Sequence, residues 1–263
     1  MCLPFVFLLS STTRTARSAK VREDDLFSAG GLLMRMLLIP GLVGAAMPAL
    51  AGTRTPPEGC EAYVTVQARS CVVSHQFRCE GDAPGDQWRV DIGMNGPFFF
   101  SRIDAEGQWL QSLGQTEQFL DPAPADPASL SDLFSKGLDT SDFSVSRDDG
   151  TASRFKGYDR LTGRDVVIDG VTLQETELEF TEYDATGTVI GRKRGNEFVH
   201  PEWRIFLGGT GELDIGDGKW LPFDFSPVEF DFPGDAGFLS SDPKYDCEVL
   251  TATLPVWRAS YEP

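Results

Sequence analysis

Alternation of apolar and polar side chains between Cys71 and Cys79 is the feature that most constrains the fold. Val73, His75 and Phe77 fall in one phase, and mainly polar residues fall in the other. A repeat of two residues is typical of a β-strand with one buried face, because successive side chains point to opposite faces of a sheet. Similar short segments recur along the chain between Gly-bearing turns. The sequence therefore predicts many short strands joined by tight turns.

The remaining strand signals lead to a fold class. Besides the strands at 62–67 and 71–79, strands are predicted at 87–92, 98–103, 108–113, 143–146, 154–158, 165–168, 171–173, 178–183, 188–192, 197–200, 203–207 and 245–251. One short helix is predicted over Leu130–Lys136, where Ser129 can cap the first turn and Gly137 can end the last. Residues 222–238 are rich in Pro and Phe and are predicted to form an ordered C-terminal loop. Short turns favour antiparallel pairing, so we expect a mainly β fold with one antiparallel sheet curled into a half-barrel or barrel.

The N-terminal part is predicted to contain an export signal. In residues 34–51, Arg35 precedes a short apolar run, and Ala49 and Ala51 stand where a signal peptidase requires small residues. The apolar run is shorter than the roughly 20 residues of a membrane-spanning helix, so no transmembrane anchor is predicted. Translation is expected to begin at Met34 or Met36, which leaves residues 1–33 untranslated or unstructured. A single β-rich domain, residues 52–263, is then exported to the periplasm or secreted.

Four cysteines follow the predicted cleavage site: Cys60, Cys71, Cys79 and Cys247. An even number of cysteines in an exported chain favours two disulfides over a metal site. Cys71 and Cys79 lie on one strand about 26 Å apart, too far for a bond between them. A two-residue turn at Arg69-Ser70 sets Cys60 opposite Cys79, so the predicted bonds are Cys60–Cys79 and Cys71–Cys247. The pairing Cys60–Cys71 with Cys79–Cys247 stays open as the alternative.

Charge and motifs exclude several function classes. The formal net charge is −17, which repels nucleic acid phosphates, so no nucleic acid partner is predicted. Arg192-Lys193-Arg194 is the single basic cluster after the signal, and it is interpreted as a solvated hairpin arm or a contact for an anionic ligand. The chain has no GxSxG, HExxH or P-loop motif, and its glycine-rich run at 208–218 matches no phosphate-binding pattern. No cofactor is predicted.

Metal binding is weakly indicated. His75 falls in the apolar phase of its strand and is predicted to be a core or rim residue, and His200, before a proline, is predicted to lie in a turn. Three acidic loop pairs have oxygen ligands that suit calcium, but none fits a DxDxDG loop. These pairs are Asp148 with Asp149, Asp214 with Asp217, and Asp231 with Asp235. No metal site is predicted.

Aromatic residues give the strongest binding signal. The runs 98–100 and 203–207 place apolar side chains on both faces of their strands, and such a sheet needs cover on both faces. If the sheet curls, its concave face can hold an apolar ligand. The candidate residues for that surface are Phe98, Phe100, Trp203 and Phe206. A fully packed core is the alternative interpretation.

A family resemblance follows from three segments: YDATGTVIGR (183–192), GNEFV (195–199) and WRIFLGG (203–209). Their succession of strand, turn and strand resembles the LolA/LolB-like periplasmic half-barrels. The resemblance implies a concave sheet that carries lipoproteins or lipids in an apolar concavity. The four cysteines and the Pro/Phe-rich C-terminal part depart from that pattern, and no functional residue is transferred.

These observations lead to one expected function and two alternatives. We expect an exported, soluble, non-enzymatic binding protein of the cell envelope whose partner is an apolar small molecule, a lipid or an envelope protein. The first alternative is an envelope hydrolase whose acid and base are carboxylates such as Asp159, Asp165 or Glu182. The second is a structural envelope protein. An aromatic-lined cavity would favour the carrier, whereas two carboxylates facing one another in a polar cleft would favour the enzyme.

Overall fold

The computed structural model describes residues 54–248, which form fourteen strands and one helix. The predicted signal and the segment 1–33 lie outside the described residues. The elements are β1 (Cys60–Ala68), β2 (Val72–Cys79), β3 (Gln87–Gly93), β4 (Gly96–Ile103), β5 (Trp109–Leu113), β6 (Glu117–Leu120), α1 (Leu130–Lys136), β7 (Leu138–Arg147), β8 (Ala152–Ile168), β9 (Val171–Asp184), β10 (Val189–His200), β11 (Ile205–Leu207), β12 (Thr210–Asp214), β13 (Trp220–Asp224) and β14 (Pro227–Asp231).

All strands belong to one antiparallel sheet. The hydrogen-bonded order is β13-β12-β10-β9-β8-β7-β6-β5-β4-β3-β2-β1-β14, with β11 also paired to β10. Consecutive strands are therefore neighbours along most of the sheet, as the short turns predict. Within residues 54–248 the order ends at β13 and β14, so the sheet is not closed into a barrel. The predicted mainly β fold with one antiparallel sheet is confirmed, and that sheet is open rather than a closed barrel.

The single helix has the predicted bounds. The Ser129 side chain accepts a hydrogen bond from the backbone N–H of Asp132, which satisfies one free donor of the first turn. Gly137 adopts a left-handed conformation with φ 77°, and its N–H donates to the carbonyl of Leu133. Leu130 and Leu133 are buried, and they fix the helix against the sheet.

The first hairpin differs from the predicted register near its turn. Ala68 pairs with Val72, so the turn has three residues rather than two, and its Ser70 and Cys71 have φ values of 59° and 58°. A register shift between Ala62 and Val64 then removes the extra residue. Cys60 still faces Cys79 as predicted, because the bulge compensates for the longer turn.

Three strands are longer than their sequence signals. β8, β9 and β10 each join two predicted segments into one strand, and β7 begins five residues before the predicted start at Phe143. A register shift between Leu161 and Asp165 marks the gap in β8. Polar residues at such bulges interrupt the alternation, although the backbone continues to pair.

The structure corrects the prediction of a Pro/Phe-rich C-terminal loop. Part of residues 222–238 forms strands β13 and β14. Pro222 lies in β13 at one end of the sheet, and Pro227 opens β14 beside a register shift in β1. Proline is tolerated at an edge because no ladder hydrogen bond is required of its nitrogen there. Residues 245–248, the described part of the predicted last strand, contain no strand.

Side-chain packing shows that the sheet rolls over itself. We define the inner face as the face that carries Val66, and pairing from strand to strand places Asp159 on the same face. Paired residues share a face, and so do residues two or four apart on one strand. The pairs that connect Val66 to Asp159 in this way are Val66–Ser74, Ser74–Asp91, Asp91–Phe99, Ser101–Ser112, Ser112–Gln118, Gln118–Arg147, Phe143–Phe155 and Asp159–Leu178. Leu178 pairs with Gly195, so Gly195 lies on the inner face, and Phe198, three residues further along β10, lies on the outer face. Phe198 nevertheless shares a core cluster with Val66. The inner face of β1 therefore packs on the outer face of β10.

The outer face of the first hairpin is covered by the C-terminal segment 238–247. Phe238 and Leu239 pack against the cluster that contains Val73 and Phe77. The backbone N–H of Leu239 donates to the Thr65 hydroxyl at 2.8 Å. Both faces of the hairpin are therefore buried, as the apolar residues on both of its faces require.

Candidate functional site

The structure contains the two predicted disulfides, Cys60–Cys79 and Cys71–Cys247. The first closes the open end of the β1–β2 hairpin. The second ties the turn of that hairpin to the C-terminal segment. Stable disulfides belong to an oxidising environment, so the covalent framework indicates a compartment outside the reducing cytosol.

The four predicted apolar surface residues lie in separate surroundings. Phe98 is 42% exposed, and Phe100 packs in the cluster of Val73 and Phe77. Trp203 packs partly buried against the cluster of Val66, and Phe206 is buried with the helix residues Leu130 and Leu133. The structure does not bring these four side chains into one surface.

His75 occupies the core position that the sequence predicts, whereas His200, predicted to lie in a turn, is the last residue of strand β10 and pairs with Ile205. His75 is buried, and its Nδ1 lies 3.0 Å from the Thr65 hydroxyl. Burial, together with the charge of Arg54, lowers the pKa of His75 to about 4. His200 accepts a hydrogen bond from the Trp203 backbone N–H and stacks on the Trp203 ring at 3.7 Å. Each imidazole thus has a structural role.

The acidic loop pairs hold turns together. Most of them accept backbone N–H bonds from neighbouring residues: Asp149 from Thr151, Asp214 from Gly216 and Gly218, Asp217 from Lys219, and Asp235 from Phe232. Asp148 is exposed, and Asp231 is buried beside Gly237. Across residues 54–248, no group of three or more His, Cys, Asp or Glu side chains is arranged to hold a metal.

The predicted basic cluster is divided between the two faces of β10. Lys193 points to the inner face and bonds to Glu197. Arg194 points outward, bonds to Glu212 at 2.6 Å and covers the ring of Trp220. The three consecutive basic residues therefore form no continuous patch.

The inner face of β7, β8, β9 and β10 carries an unusual set of side chains in three rows across the strands. One row contains Asp139, Asp159, Leu178 and Gly195. The next contains Ser141, Gly157, Phe180 and Lys193, and the third contains Phe143, Phe155, Glu182 and Gly191. Aromatic and charged groups are therefore neighbours on a buried surface.

Asp139 and Asp159 are directly opposite each other on β7 and β8. Residues at such positions have Cβ atoms about 5 Å apart, so two ionised carboxylates there would repel. Burial, and then the charge of Glu197, raise the pKa of Asp159 to about 8. Burial also raises the pKa of Asp139 to about 6, although the N–H of Ser129 donates to its Oδ2 at 2.9 Å.

Glu197 has a different state. It is almost fully buried, and burial alone would raise its pKa. The pKa of Glu197 nevertheless lies below its usual range, and the charge of Lys193 and its hydrogen bond contribute to lowering it. Lys193 and Glu197 thus form a neutralised pair beside the two aspartates.

Two buried oxygens of this region lack partners. Oδ1 of Asp159 and Oγ of Ser141 have no hydrogen-bond partner in the part of the chain that the structure describes. Ser141 faces Gly157, and Asp159 is two residues further along β8, so the two side chains are diagonal neighbours on the inner face. Buried polar atoms are normally paired, so these atoms identify a candidate binding position. We call Asp139, Ser141 and Asp159 the inner-face group.

An aromatic group lies beside the inner-face group. Trp109 contacts Phe143 and Phe155 with ring centroids 5.5 and 5.2 Å apart, and the two Phe rings stack at 5.5 Å. Phe143 and Asp139 are four residues apart on β7, which corresponds to about 13 Å. An apolar wall and an acidic end therefore share one face.

The carboxylates proposed for a hydrolase are separated. Asp159 belongs to the inner-face group, whereas Asp165 is exposed beyond the bulge in β8. Glu182 is bonded to Arg147 at 2.9 Å. Asp139 and Ser141 were missed by sequence reasoning, because the strand was expected to start only at Phe143. Their period-two spacing with Phe143 is the signal that places them on the buried face.

Comparisons with known proteins assign no family. The chain matches no protein-family model, no curated protein and no solved structure. The resemblance to LolA/LolB-like half-barrels therefore stays a prediction from the three segments that carry it. No helix within residues 54–248 is long and apolar enough to span a membrane.

Proposed function

We propose that this chain is an exported, soluble, non-enzymatic binding protein of the cell envelope, periplasmic or secreted, with a partly apolar ligand on the inner face of its rolled sheet. The observation that carries the proposal is the pair of unpartnered oxygens on Ser141 and Asp159 beside the aromatic group. A ligand would supply the missing hydrogen bonds and contact the rings.

The surroundings of this region support binding. Helix α1 packs on the same inner face, through the cluster that Leu130 and Leu133 form with Val199 and Leu161. Its cap residue Ser129 contacts Asp139 directly. A helix over one end of a concave sheet can exclude water from a bound ligand, as in many small-molecule sites.

The export part of the proposal has separate support. Two disulfides suit an oxidising compartment, and residues 34–51 have the layout of a signal peptide. An envelope protein as an additional partner stays part of the proposal. Extraction of the periplasmic fraction, followed by N-terminal analysis, tests the location and the cleavage site together.

The ligand can be tested on protein purified from its own envelope. Native mass spectrometry is expected to show a bound apolar molecule, and the empty protein is expected to take up the neutral dye Nile red. Trp109→Leu is expected to weaken dye uptake about fivefold, because large aromatic anchors dominate binding energy. Trp220→Leu is the matched control, since Trp220 lies on edge strand β13. Consistently empty protein without dye uptake would contradict the proposal.

One observation favours a second candidate, the envelope hydrolase. Asp139 and Asp159 face each other, and their pKa values are raised to different extents, as an acid and base pair requires. Hydrolysis of chromogenic glycosides or esters that is lost in both Asp139→Asn and Asp159→Asn would support the enzyme. Full dye binding without any turnover would support the carrier.

A further inference from the structure

The charge balance of the inner-face group identifies a ligand chemistry. Asp139 and Asp159 face each other, while Lys193, whose charge lowers the pKa of Asp159, is bonded to Glu197. The Lys–Glu pair is neutral, and among residues 54–248 neither aspartate forms an ion pair of its own. A buried carboxylate is stable only when it is protonated or paired with a cation.

The unpartnered atoms fit a donor rather than an acceptor. Oδ1 of Asp159 accepts hydrogen bonds when the carboxyl is ionised, and the Ser141 hydroxyl can accept as well. Both lack a partner within residues 54–248. An ammonium group has three N–H donors and no acceptor, so one such group can satisfy Asp139, Ser141 and Asp159 together.

Other ligand classes fit less well. An anion would be repelled by the two carboxyl groups. Calcium requires six to eight oxygen ligands, and residues 54–248 contain no suitable cluster of metal-binding side chains. The rings of Trp109, Phe143 and Phe155 on the same face favour an organic cation, because aromatic rings attract cations and cover apolar chains.

We infer that the inner-face group binds the ammonium group of a small amphiphilic ligand, whose apolar part lies against the aromatic group. This inference rests on the proposed function and specifies its ligand class. Binding is coupled to a proton. The free protein holds a proton on Asp159 at neutral pH, since burial raises its pKa to about 8, and the ammonium group favours the ionised form.

The charges that face Asp159 are known for each neighbouring strand. Asp139 faces it from β7, and Glu197 with Lys193 lies beyond it on β10, while β9 presents the apolar Leu178. Ammonium binding near neutral pH is therefore expected to release about one proton from this set, and fewer at about pH 9.5. A purely structural carboxyl group would release none.

Isothermal titration calorimetry of the full mature chain tests the inference. The probe is n-octylammonium, compared with octan-1-ol and octanoate in two buffers of different ionisation heat. The ammonium is expected to bind about tenfold tighter than the alcohol, with octanoate weakest, because a charge-assisted hydrogen bond contributes more than a neutral one. Proton release is expected for the ammonium probe alone.

Substitutions test whether Asp159 and Ser141 bind the ammonium probe. Asp159→Asn is expected to weaken octylammonium binding about tenfold and to abolish proton release, and Ser141→Ala about threefold. Glu179→Gln is the control, because Glu179 is exposed on the outer face of β9 and undergoes the same change from carboxyl to amide. Circular dichroism checks that each variant is folded.

Other outcomes of these experiments separate a failure of the ammonium inference from a failure of the proposed function. If the alcohol and octanoate bind as tightly as the ammonium, the ammonium inference fails while the proposed binding function stands. Octylammonium binding that Asp159→Asn leaves unchanged also overturns the inference. If none of the three probes binds and the protein takes up no apolar dye, the proposed function fails together with it.

Discussion

The β1–β2 hairpin and the β7–β10 region both bury polar groups, but the hairpin buries neutral groups, among them a His75 Nε2 without a partner in residues 54–248, whereas the β7–β10 region buries carboxyl groups that face each other. In the hairpin, Thr65 contacts His75 and Leu239, and Gln67 bonds to the backbone of Asp242 and Lys244. Both disulfides also end there. In the β7–β10 region, the carboxyl groups face each other, and two oxygens have no partner among the residues that the structure describes.

The two regions differ in their expected roles, one in stability and the other in binding. Neutral polar groups with partners are inexpensive to bury, so the hairpin can serve as a rigid, covalently closed part of the fold. Unmatched carboxyl groups are costly to bury, and such costs are typical of functional sites. We therefore expect changes in the hairpin to lower stability, and changes in the inner-face group to raise it while weakening binding.

The largest expected effect is the loss of the long-range disulfide. Cys71→Ser with Cys247→Ser opens a loop with a sequence separation of 176 residues, whereas Cys60→Ser with Cys79→Ser opens one of 19. The chain-entropy model gives losses of about 5 and about 3 kcal/mol in the free energy of unfolding. Urea denaturation measures both values. Equal losses, or the reverse order, would mean that chain entropy does not govern these bonds.

The second prediction concerns the carboxyl group of Asp159. Its pKa in the folded protein is raised, so its contribution to stability is complete below the unfolded pKa and is lost as pH rises toward about 8. Asp159→Asn is expected to match the wild type near pH 4 and to be already about 3 kcal/mol more stable near pH 6. Glu179→Gln should show no such divergence in thermal or urea unfolding. A destabilised Asn variant at pH 8 would contradict the unmatched-charge interpretation.

The third prediction concerns His75 in the β1–β2 hairpin. The pKa of His75 is lowered to about 4 in the folded state. The contribution of His75 to the free energy of unfolding is therefore complete above its unfolded pKa and is lost as pH falls. Between about pH 7 and pH 5 the wild type should therefore lose about 2 kcal/mol that His75→Gln does not lose. His200→Gln is the control, because His200 is only half-buried at the end of strand β10. Parallel pH curves for wild type and His75→Gln would contradict this assignment.

The smallest expected effect concerns the helix beside the inner-face group. Ser129→Ala removes the acceptor for the Asp132 N–H, which should cost about 1 kcal/mol of unfolding free energy. Ser135→Ala, further along the same helix, should cost less, because its hydroxyl bonds only to carbonyls of the preceding turn. If both substitutions have the same effect on urea unfolding, the cap does not stabilise this helix.

The sequence predicted the local features of the fold well. Alternation, turn residues and cysteine spacing led to the sheet, the helix bounds and both disulfides, since each depends on neighbouring residues or on one register. The three-residue turn and the compensating bulge in β1 were missed, because two errors of one residue cancel at Cys60 and Cys79. The continuity of β8 was missed because polar residues occupy its bulge.

The candidate site was harder to predict, because it depends on register between distant residues. Asp159 was one of several carboxylates, and only the pairing of β7 with β8 shows that Asp139 is its partner. The predicted aromatic surface failed to assemble because Phe206 packs under the helix and Trp203 against the rolled-over strand β1. Rolling of the sheet is a long-range property that alternation cannot specify.

A carbon-13 NMR titration of the Asp159 carboxyl group tests the central claim most directly. The resonance can be assigned by its loss in Asp159→Asn, and Asp149 in an exposed turn provides an internal reference. We expect Asp159 to titrate near pH 8 in the free protein, and octylammonium to shift its midpoint downward. A midpoint near the ordinary value of about 4 in the free protein, unaffected by the ammonium, would contradict the claim that the inner face holds an unmatched carboxyl group.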